Sequence, residues 1–229
     1  MSADPPPSHS DADPRRVPPD GRSVQPILWD VIERWHAAVT GEADWEAAQD
    51  AVSPRQPEGW AAVVERLQLI NTYQWHEEDR SRQQGADDAS LAAVKRSIDA
   101  SNARRVRTVD QLDEIIISGL VDAGLMAPGA PLPSESAGSI IDRLTVLALK
   151  IYHLKEALAE VRGRPDTARR DLELLHARVR SVTEQHADLT ECLDRLLDDV
   201  RAGRLRLKLY RQVKLYRDPE TGAMRTDLD

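Results

Sequence analysis

Apolar residues recur at helical spacing over most of this chain. The longest case runs through Leu172, Leu175, Val179, Val182, His186, Leu189, Leu193, Leu196 and Val200. Steps of three and four put all of these on one seam, so a helix is predicted over about 167–200, stopped by Gly203. The same reading predicts three more long helices, over about 60–83, 90–118 and 139–161. An earlier helix is expected from Pro26, with proline in a first turn and Ile27, Leu28, Val31, Ile32 and Trp35 on one face. Residues 44–52 suit a short helix, and Pro54 and Pro57 mark a linker behind it. Pro128, Gly129, Pro131 and Pro133 make a loop before the third long helix, which Ser134 or Ser136 is placed to cap.

The two ends read differently. Residues 1–25 hold Pro5, Pro6, Pro7, Pro14, Pro18 and Pro19 among Ser and Asp, with little to bury, and are expected to form a disordered tail. Beyond Gly203, Leu205, Leu207 and Leu209 alternate like a strand, whereas Leu209, Val213 and Tyr216 keep helical spacing, so both structures stay open there. Residues 218–229 read as a flexible polar tail. The expected fold is therefore all-α, an antiparallel bundle of four to six helices forming one domain over 26–217. All five Trp lie between positions 29 and 75, so this part should close over the bundle.

Composition agrees with that class. The 229 residues are 41% apolar but only 4% aromatic, with no Phe, which disfavours a β-sandwich. No stretch approaches the roughly 18–20 apolar residues of a membrane helix, and the N-terminus shows no apolar leader, so a soluble cytoplasmic protein is expected. The single cysteine, Cys192, has no partner for an intramolecular disulfide and reads as a small helical filler. A net charge of −8 argues against nonspecific attraction of the whole surface to nucleic acid or anionic membrane, and no specific nucleic-acid partner is expected. One local exception is Arg201, Arg204, Arg206, Lys208, Arg211, Lys214 and Arg217, a basic run with no acid in it.

Candidate chemistry lies on the borders of the apolar stripes. On the first long helix, one face passes from Val64 and Leu67 through Asn71 and Trp75 to Glu78 and Arg82, with His76 and Asp79 on the adjoining edge. If that face stays inside, its carboxylates must be paired or bound; otherwise Glu78 and Arg82 are a surface pair one turn apart. The second long helix carries Lys95, Asp99, Asn102 and Asp113 along one edge, with Arg105 a turn from Asn102. On the third, Asp142 is followed by Val146, Leu149 and His153 on a second stripe, and Asp142 is also favoured by the helix dipole. His186 sits on the long seam, where a core histidine is expected rather than a metal ligand.

Several familiar motifs are missing: a dinucleotide fingerprint, a phosphate loop, a nucleophile elbow and a Cys-x-x-Cys pair. His76-Glu77-Glu78-Asp79-Arg80 opens like a zincin helix, but Arg80 stands where the second histidine belongs. The segments Trp75-His76-x-Glu78-Asp79-x-x-Arg82, Lys95-Arg96-x-Ile98-Asp99-x-x-Asn102 and Gly138-Ser-Ile-Ile-Asp142-Arg143-Leu144, leading to Leu149-Lys150-Ile151-Tyr152-His153, resemble the signature blocks of bacterial domain-of-unknown-function family 4254. The resemblance covers about residues 60–217, with Ala137 where the pattern has Pro. It implies no activity, only a loose association with cell-envelope glycan genes.

The leading expectation is a polar cleft inside the bundle, built from His76, Glu78, Asp79, Arg82, Lys95, Asp99, Asn102, Arg105 and Asp142. It would bind a phosphorylated or sugar-like small anionic ligand, with no metal. An alternative enzyme reading has Glu78, Asp79, Asp99 and Asp142 holding Mg for nucleotide pyrophosphohydrolase-like chemistry. A third alternative is an interaction or scaffold protein, with the 172–200 seam docking a partner or a second copy in a homodimer.

Overall fold

Helices form where the periodic segments demand them. The computed structural model describes residues 19–39, 41, 43–56, 58–82, 87–164, 169–210, 215–217, 221 and 224–226. Among these, six helices follow in order: α1 (Gly21–Ala38), α2 (Trp45–Ala51), α3 (Gly59–Ser81), α4 (Asp88–Asp122), α5 (Ala137–Arg162) and α6 (Arg169–Arg201). A short antiparallel ribbon closes the chain, with β1 (Leu215–Arg217) paired to β2 (Met224–Thr226), and the architecture remains an all-α antiparallel bundle. Helices α3 and α4 pack as one antiparallel hairpin, with Arg66 reaching Gln111 near one end and Tyr73 reaching Ser97 further along. Helices α5 and α6 form a second hairpin, and α1 lies against α3, α5 and α6.

The core is the sum of the apolar stripes. Leu28, Ile32, Leu67, Leu112, Ile116, Leu144, Leu193 and Leu197 are all essentially inaccessible to water and belong to one cluster. A second cluster joins Val31 and Trp35 of α1, Trp45 and Ala48 of α2 and Leu69, Ile70 and Tyr73 of α3. Trp45 and Trp35 meet the Tyr73 ring edge-on at 5.4 and 6.4 Å, so α2 is held to the bundle by large rings. Ser136 caps α5 by accepting from the Ser139 N–H, and Asp44 caps α2 through Ala47.

Three expectations change. Helix α1 starts at Gly21, five residues before Pro26, because Asp20 and Ser23 form a capping box and Val24 is fully buried. Gly21 itself is pressed onto α6, where its N–H donates to Asp194 Oδ1 at 2.7 Å, and a Cβ there would come within 2.2 Å of Thr190 Cγ2. The tail read over 1–25 thus has its end inside the fold, while residues 1–18 lie outside the described residues. At the other end, Met224–Thr226 belongs to a strand pair within the segment read as a flexible tail. Finally, the second half of the 172–200 seam mates within its own chain: His186, Leu189, Leu193, Leu196 and Val200 are buried and α6 packs on α5 and α1, while Leu172, Leu175, Val179 and Val182 stay half-buried.

Candidate functional site

Asp142, in the second turn of α5, ties three helices together. Its Oδ1 and Oδ2 accept from Arg105 Nε at 2.8 Å and Nη2 at 2.7 Å, a two-pronged pair supplied by α4. Asn71 of α3 donates through Nδ2 to Asp142 Oδ1 at 2.9 Å and to Thr145 Oγ1 at 2.6 Å. Thr145 in turn donates to the Asp142 carbonyl oxygen. The Asp142 side chain is 14% exposed and that of Arg105 29%, so water screens the pair only partly. Next to it, half-buried Asn102 accepts from Gln74 Nε2 at 3.0 Å.

Arg105 borders three hollows. One of about 210 Å³ lies between α3 and α5, beside Asn71, Gln74 and Trp75. One of about 290 Å³ is flanked by Asn102, Ser139 and Asp142. The widest, about 520 Å³, is a groove against α6 where Arg105, Arg143 and Lys150 face Gln185, Asp188 and Leu189. Cys192 is exposed on this groove, not a filler within the bundle.

The remaining polar candidates are more exposed. Lys95 donates to Asp99 at 2.6 Å as an exposed pair, 67% and 59% accessible, and this pair lines none of the hollows described above. Arg82 bridges Asp79 at 3.1 Å and Glu78 at 3.4 Å, again in contact with solvent, as the rim of the 210 Å³ hollow. Lys95 and Asp99 stand on the outer face of α4, beside buried Val94 and Ile98, whereas Glu78, Asp79 and Arg82 stand at the C-terminal end of α3. The proposed Mg set of Glu78, Asp79, Asp99 and Asp142 does not assemble. Asp142 is taken by Arg105 and Asn71, Asp99 by Lys95, and the other two by Arg82.

Other buried carboxylates have structural partners. Glu65 accepts from the Arg55 and Gln56 N–H groups and so pins the linker before α3. Asp113 accepts from the Gly138 N–H at 2.7 Å, and burial raises its pKa against that bond. In the basic run, Arg201 and Arg204 pair with Asp198 and Asp199, and Arg206 donates to the Ala130 carbonyl, which fixes the chain after α6. His186 is buried beside Trp29, as a core histidine would be.

His76 belongs to a different constellation, which spacing along the chain did not reveal. It meets His36 from the last turns of α1 and His153 from α5, with ring centroids 5.4, 5.2 and 5.6 Å apart around the triangle. One nitrogen from each ring lies within 4.8 Å of the other two. The Nε2 atom of each is buried and accepts or donates no hydrogen bond. His36 Nδ1 lies 2.8 Å from the Ile32 carbonyl oxygen and His153 Nδ1 lies 3.0 Å from Glu156 Oε2. Burial, then the proximity of His36 and His153, pushes the His76 pKa down to about 4, and burial lowers that of His153. A sequence signal did exist: each histidine follows an aromatic residue, in Trp35-His36, Trp75-His76 and Tyr152-His153.

The chain belongs to the family described as "Protein of unknown function (DUF4254)", which matches residues 61–209. That span contains Asn71, His76, Arg105, Asp142 and His153, whereas His36 precedes it. No curated protein and no solved structure matches the chain.

Proposed function

We propose that the protein binds a small phosphorylated or sugar-like ligand in the groove between α4, α5 and α6. The observation that carries this reading is the state of Arg105. Asp142 holds it by Nε and Nη2, so the rest of the guanidinium is aimed before any ligand arrives, which lowers the ordering cost of binding. The groove's volume of about 520 Å³ falls within the range of small-molecule sites. Arg143 and Lys150 add cations at its edge, Val146, Leu147 and Leu189 offer an apolar wall, and Gln185 and Asp188 suit hydroxyl groups. Lys95 and Asp99 have no part in this site.

The mix of cations, an apolar wall and hydroxyl-binding groups makes sugar phosphates and nucleotide sugars the first ligands to try. Calorimetric titration with inorganic phosphate, a sugar phosphate, its parent sugar and a nucleoside-diphosphate sugar tests the proposal. The phosphorylated compounds should bind more tightly than the parent sugar, and less tightly as salt rises. An Arg143→Ala/Lys150→Ala variant should lose about tenfold or more in affinity for them while melting like the wild type. Equal affinity in that variant, or no binding of any compound to the wild type, would refute the reading.

A further inference from the structure

The three aromatic–histidine pairs are interlocked. Trp35 of α1 lies on His76 of α3, with centroids 5.3 Å apart and planes 11° from parallel. Trp75 of α3 stacks on His153 of α5 at 5.0 Å and 10°. Tyr152 of α5 lies against His36 of α1 at 4.2 Å and 31°. Each aromatic ring thus clamps the histidine of another helix, and the three clamps close a circle in which no imidazole turns without moving its neighbours.

We propose that His36, His76 and His153 form a binding site for one divalent transition-metal ion of the zinc type, each ring serving as a ligand through Nε2. Three buried nitrogens with no hydrogen-bond partner, on rings that each bring a nitrogen within 4.8 Å of the other two, are costly unless something binds them. Tetrahedral Zn–N bonds of about 2.0–2.1 Å place imidazole centroids roughly 5.2 Å apart, close to the triangle found here. The outer nitrogens are held as metal-bound histidines usually are. A backbone carbonyl faces His36 Nδ1 and a carboxylate faces His153 Nδ1, which sets both tautomers with the lone pair on Nε2. Burial disfavours the charged form of His76 and of His153, and the neutral imidazole is the form that binds metal.

Asp79 and Glu156 lie close enough to act on these imidazoles electrostatically and would offset part of the charge of a dication. A hollow of about 270 Å³ reaches His76 past Trp35, Tyr73 and Asp79 and offers the ion a route in. Three imidazoles select zinc, cobalt, nickel or copper over magnesium, which prefers oxygen. Three protein ligands also leave a fourth tetrahedral position for water or an anion. The site stands apart from the anion groove, and its test uses metal alone.

The test is titration of the metal-stripped full chain with ZnCl2, CoCl2 and MgCl2. Zinc is expected to bind one per chain and raise the melting temperature, cobalt to give the strong visible absorption of a four-coordinate ion, and magnesium to do neither. His76→Phe and His153→Phe keep a ring in each stack but remove a donor, and each should weaken zinc binding about 100-fold or more. Glu156→Gln should weaken it about tenfold, whereas His176→Ala, a histidine of α6 outside the triangle, should leave it unchanged. If the Phe variants do not fold, histidine nitrogen NMR of the unaltered protein decides. Zinc must shift the Nε2 resonances of three histidines and spare that of His186. The proposal is overturned if zinc fails to bind at micromolar concentration, or if it binds the folded Phe variants as tightly as the wild type.

Discussion

Arg105 and Asp142 face each other in the plane of a two-pronged pair, 2.8 and 2.7 Å long, with Asn71 closing on the same carboxylate at 2.9 Å. Asp142→Ala strands a half-buried guanidinium and a buried amide together. The loss of stability should be about 2–3 kcal/mol, below the cost of breaking a fully buried pair because Arg105 keeps some contact with water. Arg105→Lys keeps the charge but not the fork and should cost less. Urea unfolding followed by circular dichroism measures both, and an unchanged midpoint for Asp142→Ala would remove the pair from the list of helix ties.

Gly138 sits where α5 begins against α4. A Cβ there would stand 2.8 Å from Asp113 Oδ1 and 2.9 Å from the Val109 carbonyl oxygen. The carboxylate is held in place by the Gly138 N–H, and the carbonyl is part of a helix, so neither moves away freely. Gly138→Ala should therefore destabilise the fold by about 1–3 kcal/mol in spite of alanine's better helix propensity. In a protein of this size that lowers the melting temperature by several degrees; a rise would show that the two helices separate easily.

The Lys95–Asp99 pair gives the opposite expectation. Both ends are mostly exposed and lie one turn apart on a single helix, so the pair ties nothing else to α4. Lys95→Ala/Asp99→Ala should melt with the wild type and should bind ligands of the anion groove unchanged. A marked loss in either measurement would return these residues to the site.

Helix existence was legible because nine-residue seams such as Leu172 to Val200 leave few alternatives, and the helix over 44–52 carried its own cap in Asp44. The start of α1 was not, because Pro26 is a strong local signal, while the capping box and the contact of Gly21 with α6 act one turn earlier and across the fold. Polar residues on a border follow the same limit. Periodicity assigns Asp142 and Asp99 to similar edges, but only the neighbouring helix decides that one is covered by Arg105 and the other by water. The histidine triangle depends wholly on which helices meet, since its members stand 40 and 77 positions apart; the recurring aromatic-histidine dipeptide was its sole local trace.

His186 offers a test by pH that involves no proposed ligand. It is buried on the α6 seam with Nε2 lacking a hydrogen-bond partner, and burial alone lowers its pKa in the fold. The unfolded chain, with an ordinary histidine near 6.5, takes up the proton first as pH falls. The residue's neutral-state contribution to stability is thus fully present above about pH 6.5 and is lost as pH drops from there through the lowered folded value. His186→Leu suits the same seam and removes this proton, so its stability should fall less steeply than the wild type's between pH 7 and 5. His76 and His153 titrate in both proteins and leave a residual slope. Urea unfolding at half-unit pH steps in a chelating buffer checks the difference. Parallel curves would mean that His186 takes its proton as readily in the fold as outside it.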